Sequence, residues 1–584
     1  MKRDESIVSD LSCWATMAVF VVGLVVLGQH LRAVQVDGAP DYNYEKNRQS
    51  VRRVQTAGPR GRILDRRGRV LADNRRTLSI VCNASSFRKR TWDDTEAAIS
   101  KAVSDVASVV GRASRLTDGA IRRHVRQSLA VPLVAWRDLD EAELARFAEH
   151  ERLHPGFSVV ESEERVYPNS SLACHLVGYV GRDRARSEEG DERFSFREFE
   201  LCGRSGLELY YNGFLLGVPG EKKLVVDARG FTERERVVSE ARRGPDLYLT
   251  IDADIQRVAE AQLKGVRGAC VAMDPRDGSV LAFASAPGYD PNDFVPVLSQ
   301  ETYDRHLNNP SKPLLNRASG GLYAPGSTFK PITALAGLSM GYPDDCEYEC
   351  TGAYELPGLK LHCARRWGHG PISVREALKV SCNTFFCNLG MDIGTNALVA
   401  AARAFGLGEK TGIDFTDDRA GVVPDDAWKR KTYGERWFPG DLAQMSVGQG
   451  MLLASPLQMA VVAGALGTGY LVTPHFRSGE PSARRPLPFS KSDLDVVREG
   501  MRMVVESGSG VKGGEGVSVE VSGKTGTAEV GYGAARRKNT WFVAYAPSHA
   551  PRAAVALVVE DGESGGGTAA PRVAEILKRI FNAR

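Results

Sequence analysis

Apolar and polar positions change period several times along this chain, and each change predicts an element. Residues 11–31 contain no Asp, Glu, Lys or Arg, a run just long enough to cross a bilayer as one helix. A polar, Arg-rich stretch follows, with the turn signal Gly58-Pro59-Arg60-Gly61. Apolar positions at helical spacing predict helices over residues 94–110 and 141–149. The loop signal Arg243-Gly244-Pro245 marks the main boundary, near residue 245. Beyond it, residues 247–251 read as a strand and 254–263 as a helix. Residues 269–273 and 280–284 read as two strands around an Asp-Pro-Arg-Asp-Gly turn. A mostly helical region is expected from 327 to 467, then strands at 517–521, 540–545 and 553–559. A last helix carries Val573, Ile576, Leu577 and Ile580 on one face. This order fits an α+β fold: one N-terminal helix, a mixed α/β part, and an antiparallel sheet covered by helices.

Length and charge narrow the picture. At 584 residues the chain exceeds one ordinary core. A net charge of +4 with 25% charged residues gives no electrostatic case for nucleic acid. The apolar run reads as an uncleaved anchor, because no small-x-small cleavage site follows it; a cleaved signal peptide is the competing reading. An anchor implies a short cytoplasmic tail over residues 1–10 and a large exported body, although Lys2 and Arg3 before the run and Arg32, Lys46 and Arg48 after it leave the positive-inside rule undecided.

Candidate chemistry lies in three short strings in fixed order: Ser327-Thr328-Phe329-Lys330, Ser381-Cys382-Asn383 and Lys524-Thr525-Gly526. The chain holds a second copy of two of them, Ser86-Phe87-Arg88-Lys89 and Lys410-Thr411-Gly412, so context must choose. Ser327 follows a Pro-Gly turn and opens an apolar helix, whereas Ser86 sits in an Arg-rich polar stretch. Acyl transfer needs a nucleophile, a base, an oxyanion hole and a leaving-group acid. Ser327 at a helix start is the nucleophile, near backbone N–H groups that have no helical partner. Lys330 is one turn on and acts as base if burial and a second cation, Lys524, lower its pKa. Ser381 relays a proton, Asn383 holds a substrate amide, and Gly526 lets a peptide approach a strand edge running to Ala528.

These residues resemble the penicillin-binding protein and serine β-lactamase group, and the wider match is to class B penicillin-binding proteins. Arg60 to Arg66 (RGRILDR), Arg165-Val166-Tyr167-Pro168, Gly206-Leu207-Glu208 and Leu216 to Gly220 (LGVPG) look like the family's pedestal signatures. Tyr289-Asp290-Pro291-Asn292 and Lys524 to Glu529 (KTGTAE) look like its transpeptidase domain. Trp367-Gly368-His369-Gly370, Trp437 to Asp441 (WFPGD), Gly448-Gln449-Gly450 and Ser455 to Gln458 (SPLQ) are similar to the elongation branch. The resemblance implies a tail over 1–10, an anchor over 11–31, a non-catalytic pedestal over 32–245 and a transpeptidase domain over 246–584. It implies cross-linking of peptidoglycan stem peptides through an acyl-enzyme on Ser327, with β-lactams acylating the same serine. It adds Thr525, Gly526 and Thr527 as substrate-binding residues, and the backbone N–H groups of Ser327 and Thr527 as the oxyanion hole. By analogy, the partners are a SEDS-family glycan polymerase and a rod-complex scaffold at the inner membrane, with the large domain outside the cytoplasm. A septal transpeptidase and a non-catalytic scaffold of the same fold are the alternatives; the presence of Ser327, Lys330 and Lys524 argues against the scaffold.

Five of ten cysteines fall between Cys346 and Cys387. Cys350, Cys363, His369 and Cys382 form a donor set that suits a tetrahedral structural zinc, and some elongation-type relatives are similar in carrying a zinc site there. A disulfide, favoured by an exported compartment, and plain buried thiols are the other readings; His362 and Cys346 are substitute ligands.

Overall fold

The computed structural model describes residues 4–37, 50–127, 129, 131–183, 195–197, 200–227, 229, 231–295, 298–531 and 537–582. Lys2, Arg3, Lys46 and Arg48 lie outside the described residues. The first helix, Asp4–Arg32, contains the apolar run. Among the described residues it belongs to the one helical stretch long and apolar enough to cross a membrane, Leu11–Asp37, and its residues from Leu11 on are exposed.

Two larger sheets, beside a two-stranded ribbon of Val180–Asp183 and Glu200–Gly203, build the described part before residue 250. One orders its strands Thr232–Ser239, Gly220–Val226, Val51–Thr56 and Ser195–Arg197. In the other, the long strand Val70–Cys82 pairs antiparallel with Phe157–Val166 over ten residue pairs and also joins Ile63–Leu64 and Leu133–Trp136. The helices Trp92–Val110 and Glu141–His150 pack over it, burying Ile99, Val103, Val106 and Phe147. Both begin at side-chain caps: Thr91 accepts from the Asp94 N–H, and Asp140 and Glu143 form a reciprocal capping box. Three of the sequence signatures meet at one buried carboxylate. Glu208 accepts from Arg60 Nη2 at 2.8 Å and from Arg165 Nε at 2.7 Å, with all three side chains almost fully buried. Such a triad contributes geometry rather than net stability, because desolvation offsets most of the attraction.

The predicted strand over 247–251 is shorter in the structure. Only Leu247–Tyr248 forms a ladder, parallel to Ile63–Leu64. From Thr250 the backbone turns to the other half, its N–H bonding the Phe476 carbonyl at 2.7 Å.

That half is built on a five-stranded antiparallel sheet. Its order is Val280–Ala286, Gly268–Met273, Ala553–Val559, Arg537–Ala546 and Ser522–Val530. Side chains alternate between two cores, as the two-residue period requires. Val271, Met273, Trp541, Val543 and Tyr545 face the larger core with the helix Pro456–Thr468. Cys270, Ala272, Phe542 and Ala544 face the core closed by the C-terminal helix Ala570–Phe581. Helices on both faces explain why these strands are apolar at nearly every position.

Two expectations are corrected. The alternation Val517, Val519, Val521 is not a strand; the strand starts at Ser522, where its register with Arg537–Ala546 begins. The three valines are apolar because Val521 is buried and Val517 and Val519 pack against the C-terminal core. The region from 327 to 467 is also interrupted by four short strands, Tyr348–Cys350, Ala353–Leu356, Leu359–His362 and Gly370–Ile372. They form two two-stranded ribbons; Cys350, Cys363 and His369 sit on and between them, and Cys382 lies beyond them at the start of the helix Asn383–Ala404.

Candidate active site and metal centre

Ser327 lies in a 3-10 turn, Gly326–Phe329, that runs into the helix Lys330–Ser339. The turn is held tightly. Gly326 has φ +57° and donates its N–H to the Gly448 carbonyl at 2.7 Å. A Cβ on Gly326 would sit 3.2 Å from the Thr527 backbone, so the nucleophile turn and the third motif touch main chain to main chain. Trp541 Nε1 donates to the Ala324 carbonyl at 3.0 Å and fastens the same turn to the sheet.

Lys330 is fully buried. Its Nζ donates to the Ser381 carbonyl and to Asn383 Oδ1, both at 2.7 Å, and lies 3.3 Å from Ser381 Oγ. Lys524 is equally buried, and its Nζ donates to Ser381 Oγ at 2.8 Å. One serine hydroxyl therefore sits between two buried amines. Ser381 adopts φ +58°, a left-handed conformation that is uncommon for serine; the strain points its hydroxyl into the gap between them. Burial pushes the Lys330 pKa down to about 8, with the neighbouring cysteine sulfurs pulling it back up. Burial, reinforced by the Lys330 charge, pushes Lys524 well below the ordinary lysine range. The two amines disfavour holding two protons together, which leaves a lone pair for base duty.

The third motif lies on the edge strand Ser522–Val530, which pairs on one side with Arg537–Ala546 and on its other side with no strand among the described residues. A Cβ on Gly526 would meet the Pro325 carbonyl oxygen at 2.8 Å, so only glycine lets this strand lie against the nucleophile turn. Thr527 Oγ1 accepts from the Gly565 N–H at 3.3 Å. The free edge can take an extended peptide as an added strand.

The other copies of the motifs are elsewhere. Ser86 lies in a short 3-10 turn, Ala84–Phe87, after the long pedestal strand. Lys410 to Gly412 form a loop in which the Gly412 N–H bonds Asp418.

Cys350, Cys363, His369 and Cys382 converge, their ligand atoms all within 4.8 Å of one another. His369 Nδ1 lies 3.4 Å from Cys350 Sγ and 3.5 Å from Cys363 Sγ, and Cys363 Sγ lies 3.8 Å from Cys382 Sγ. The thiol of Cys382 donates to Cys363, which pushes the Cys363 pKa below the ordinary thiol range and raises that of Cys382. The substitute ligands are not in this cluster. Cys346 lies outside it, and His362 contributes its backbone carbonyl to a different contact, accepting from Asn383 Nδ2 at 2.7 Å.

Cys382 sits inside the second motif, and the structure adds further contacts between the cluster and that motif. Asn383 donates its backbone N–H to Cys363 Sγ at 3.3 Å, its amide N–H to His362, and accepts from Lys330. Cys382 caps the helix Asn383–Ala404 through its sulfur. The second motif is thus held between the buried lysine on one side and the thiol cluster on the other.

Comparison with known proteins agrees with this geometry. The family model of the penicillin-binding protein transpeptidase domain matches residues 268–578, and that of the penicillin-binding protein dimerisation domain matches residues 55–249. The chain is 31% identical to the peptidoglycan D,D-transpeptidase MrdA of Acinetobacter baumannii, over 96% of this chain and 86% of that one. Among solved structures, the complex between penicillin-binding protein PBP2 and MreC from Helicobacter pylori superposes with a TM-score of 0.79 at 26% identity, covering 91% of this chain and 99% of that one. A structure titled as the structural coordination of polymerization and crosslinking by a peptidoglycan synthase complex gives a TM-score of 0.72 at 28% identity, covering 98% of this chain and 99% of that one. Two family models in series, full-length relatives and the assembled serine, lysine and threonine motifs agree: the chain belongs to the class B penicillin-binding proteins, elongation type.

Proposed function

We propose that this chain cross-links peptidoglycan stem peptides during cell elongation, through an acyl-enzyme on Ser327. The observation that carries this reading is the Ser381 hydroxyl held between the buried amines of Lys524 and of Lys330, which lies one turn on from Ser327. Lys330 takes the Ser327 proton as Oγ attacks the carbonyl carbon of the penultimate D-Ala. The N–H groups of Ser327 and Thr527 receive the oxyanion. As the C–N bond breaks, Ser381 passes a proton to the departing D-Ala amine and is resupplied by the lysine pair. An acceptor amine then reverses these steps and leaves with the acyl group. Asn383 and the edge strand at Gly526 hold the donor peptide. β-Lactams open on the same serine. The direct test is incubation of the detergent-solubilised chain with D-Ala-D-Ala-terminated stem peptides and an acceptor amine. Released D-Ala and a cross-linked product in equal amounts are expected; D-Ala release without cross-link would make the chain a carboxypeptidase.

Residues 1–10 are assigned as the cytoplasmic tail, 11–31 as the inner-membrane anchor, 32–245 as pedestal and 246–584 as transpeptidase domain on the outer side of that membrane. A rod-complex scaffold and a SEDS-family glycan polymerase are the proposed partners; similar proteins have been solved in complex with MreC and within a peptidoglycan synthase complex, which supports this reading.

The thiol cluster is assigned to a structural zinc. Four ligands at tetrahedral angles with zinc–sulfur and zinc–nitrogen arms of about 2.3 and 2.0 Å place sulfurs ~3.8 Å apart and sulfur and nitrogen ~3.5 Å apart. The 3.8 Å between Cys363 and Cys382, and the 3.4 and 3.5 Å to His369, fit those edges, whereas a disulfide needs about 2.05 Å. All four positions are protein ligands, so the ion would brace Ser381 and Asn383 rather than bind substrate. One zinc per chain is expected by elemental analysis, with three thiols becoming reactive when a chelator removes it. No zinc together with two missing thiols would assign a disulfide instead.

A further inference from the structure

The turn that follows the helix Lys491–Ser507 carries a hydroxyl not among the three motifs. Ser509 Oγ lies 2.7 Å from Thr525 Oγ1. Thr525 is buried, while Ser509 is exposed. The position of Ser509 is tightly set. Its N–H bonds the carbonyl of Lys379, two residues before Ser381, at 3.2 Å. The next residue, Gly510, bonds the Val504 carbonyl at 2.9 Å. A Cβ on Gly566 would come within 2.4 Å of the Ser509 carbonyl oxygen, so the glycine loop after the sheet presses on the same turn. Ser509 is thus wedged between the second motif, the third motif and this loop.

We infer that Ser509 is a substrate-positioning residue that shares the donor's terminal carboxylate with Thr525, an inference that rests on the transpeptidase reading above. Each hydroxyl has one proton and two lone pairs. When Ser509 donates to Thr525 Oγ1, the Thr525 proton is turned outward, and an accepting hydroxyl becomes a stronger donor through cooperative polarisation. Both neighbouring amines are buried and committed to Ser381, Asn383 and backbone carbonyls. Recognition of a carboxylate at this end of the strand therefore falls to the hydroxyls, and the fixed Ser509–Thr525 pair is preorganised for it.

The test is the second-order acylation rate of the full chain with penicillin G and with its methyl ester, for the parent and for Ser509→Ala and Ser509→Thr. Loss of a hydrogen bond to a charged group lowers the rate by roughly 10-fold or more. The inference expects that loss in Ser509→Ala with penicillin G, little change with the ester, and recovery in Ser509→Thr. An equal loss with both compounds would show a merely structural role, and no loss with either would remove Ser509 from recognition; each overturns the inference. Failure of the parent chain to acylate with penicillin G would instead count against the transpeptidase reading itself.

Discussion

Replacing Ser327 by alanine will abolish the covalent penicillin adduct. Intact-mass spectra of the parent chain mixed with penicillin should shift by one antibiotic mass, and the shift should map to the peptide containing Ser327. In Ser327→Ala the acylation rate should fall by at least about 10⁴-fold, because removing a nucleophile that acts as a unit with its base leaves only binding behind. The fold should survive. Ser327 is only half-buried, and its turn is held by Gly326, Thr328 and Trp541 rather than by its own hydroxyl, so stability should change by less than about 1 kcal/mol. A retained adduct in a folded Ser327→Ala chain would place the nucleophile elsewhere.

The second large effect concerns Lys330 and pH. The amine must be neutral to accept the Ser327 proton. Burial lowers its pKa to about 8, so the neutral fraction grows as pH rises. Acylation should therefore be slow at pH 6, rise through half its maximum near pH 8, and level off above it. An unperturbed lysine, with a pKa of about 10.4, would put that midpoint more than two units higher. Lys330→Met should lower the acylation rate by about 10³-fold, within the usual span for loss of a general base, and should remove the rise near pH 8. Methionine matches the length of the buried stem and removes a buried charge, so the variant should fold, although the Ser381 carbonyl and Asn383 Oδ1 lose a donor. Rates measured by quenched mass spectrometry across about pH 6 to 10 decide it. A profile unchanged in Lys330→Met would assign the base to Lys524.

How much of this was legible beforehand differs from residue to residue. Both strands around the Asp274 turn and the strand Ala553–Val559 were legible as short apolar runs, buried on both faces between two cores, and the last helix from one apolar face against one core. The valines at 517–521 misled because alternation records burial, not hydrogen bonding, and a loop packed on a helix can alternate too. Tyr348–Cys350 and Gly370–Ile372 were missed because strands of three residues hold a single alternation, too short to stand out from a loop. Ser327 was preferred to Ser86 for its helix-opening turn and apolar run, and Lys524 to Lys410 for the valine alternation before it, although that alternation is not a strand. Ser509 was not legible. Its partner Thr525 is sixteen residues away across a glycine-rich turn, and no spacing rule links them.

Residue order by itself determined the chemistry on offer: an apolar run able to span a membrane, a serine and lysine one helical turn apart, an amide and a second lysine in order, and three cysteines and a histidine in the middle. These are local properties, set by side-chain type and helix or strand period. Only the tertiary structure decided how they act. The burial of both amines around the Ser381 hydroxyl and the Cys363 sulfur under the Asn383 N–H are contacts between segments 20 to 143 residues apart, and the left-handed Ser381 backbone and the free edge at Gly526 are set by the same packing. Desolvation and hydrogen bonding depend on what closes over a group, and that is a property of the packed sheet and helices rather than of any stretch of chain.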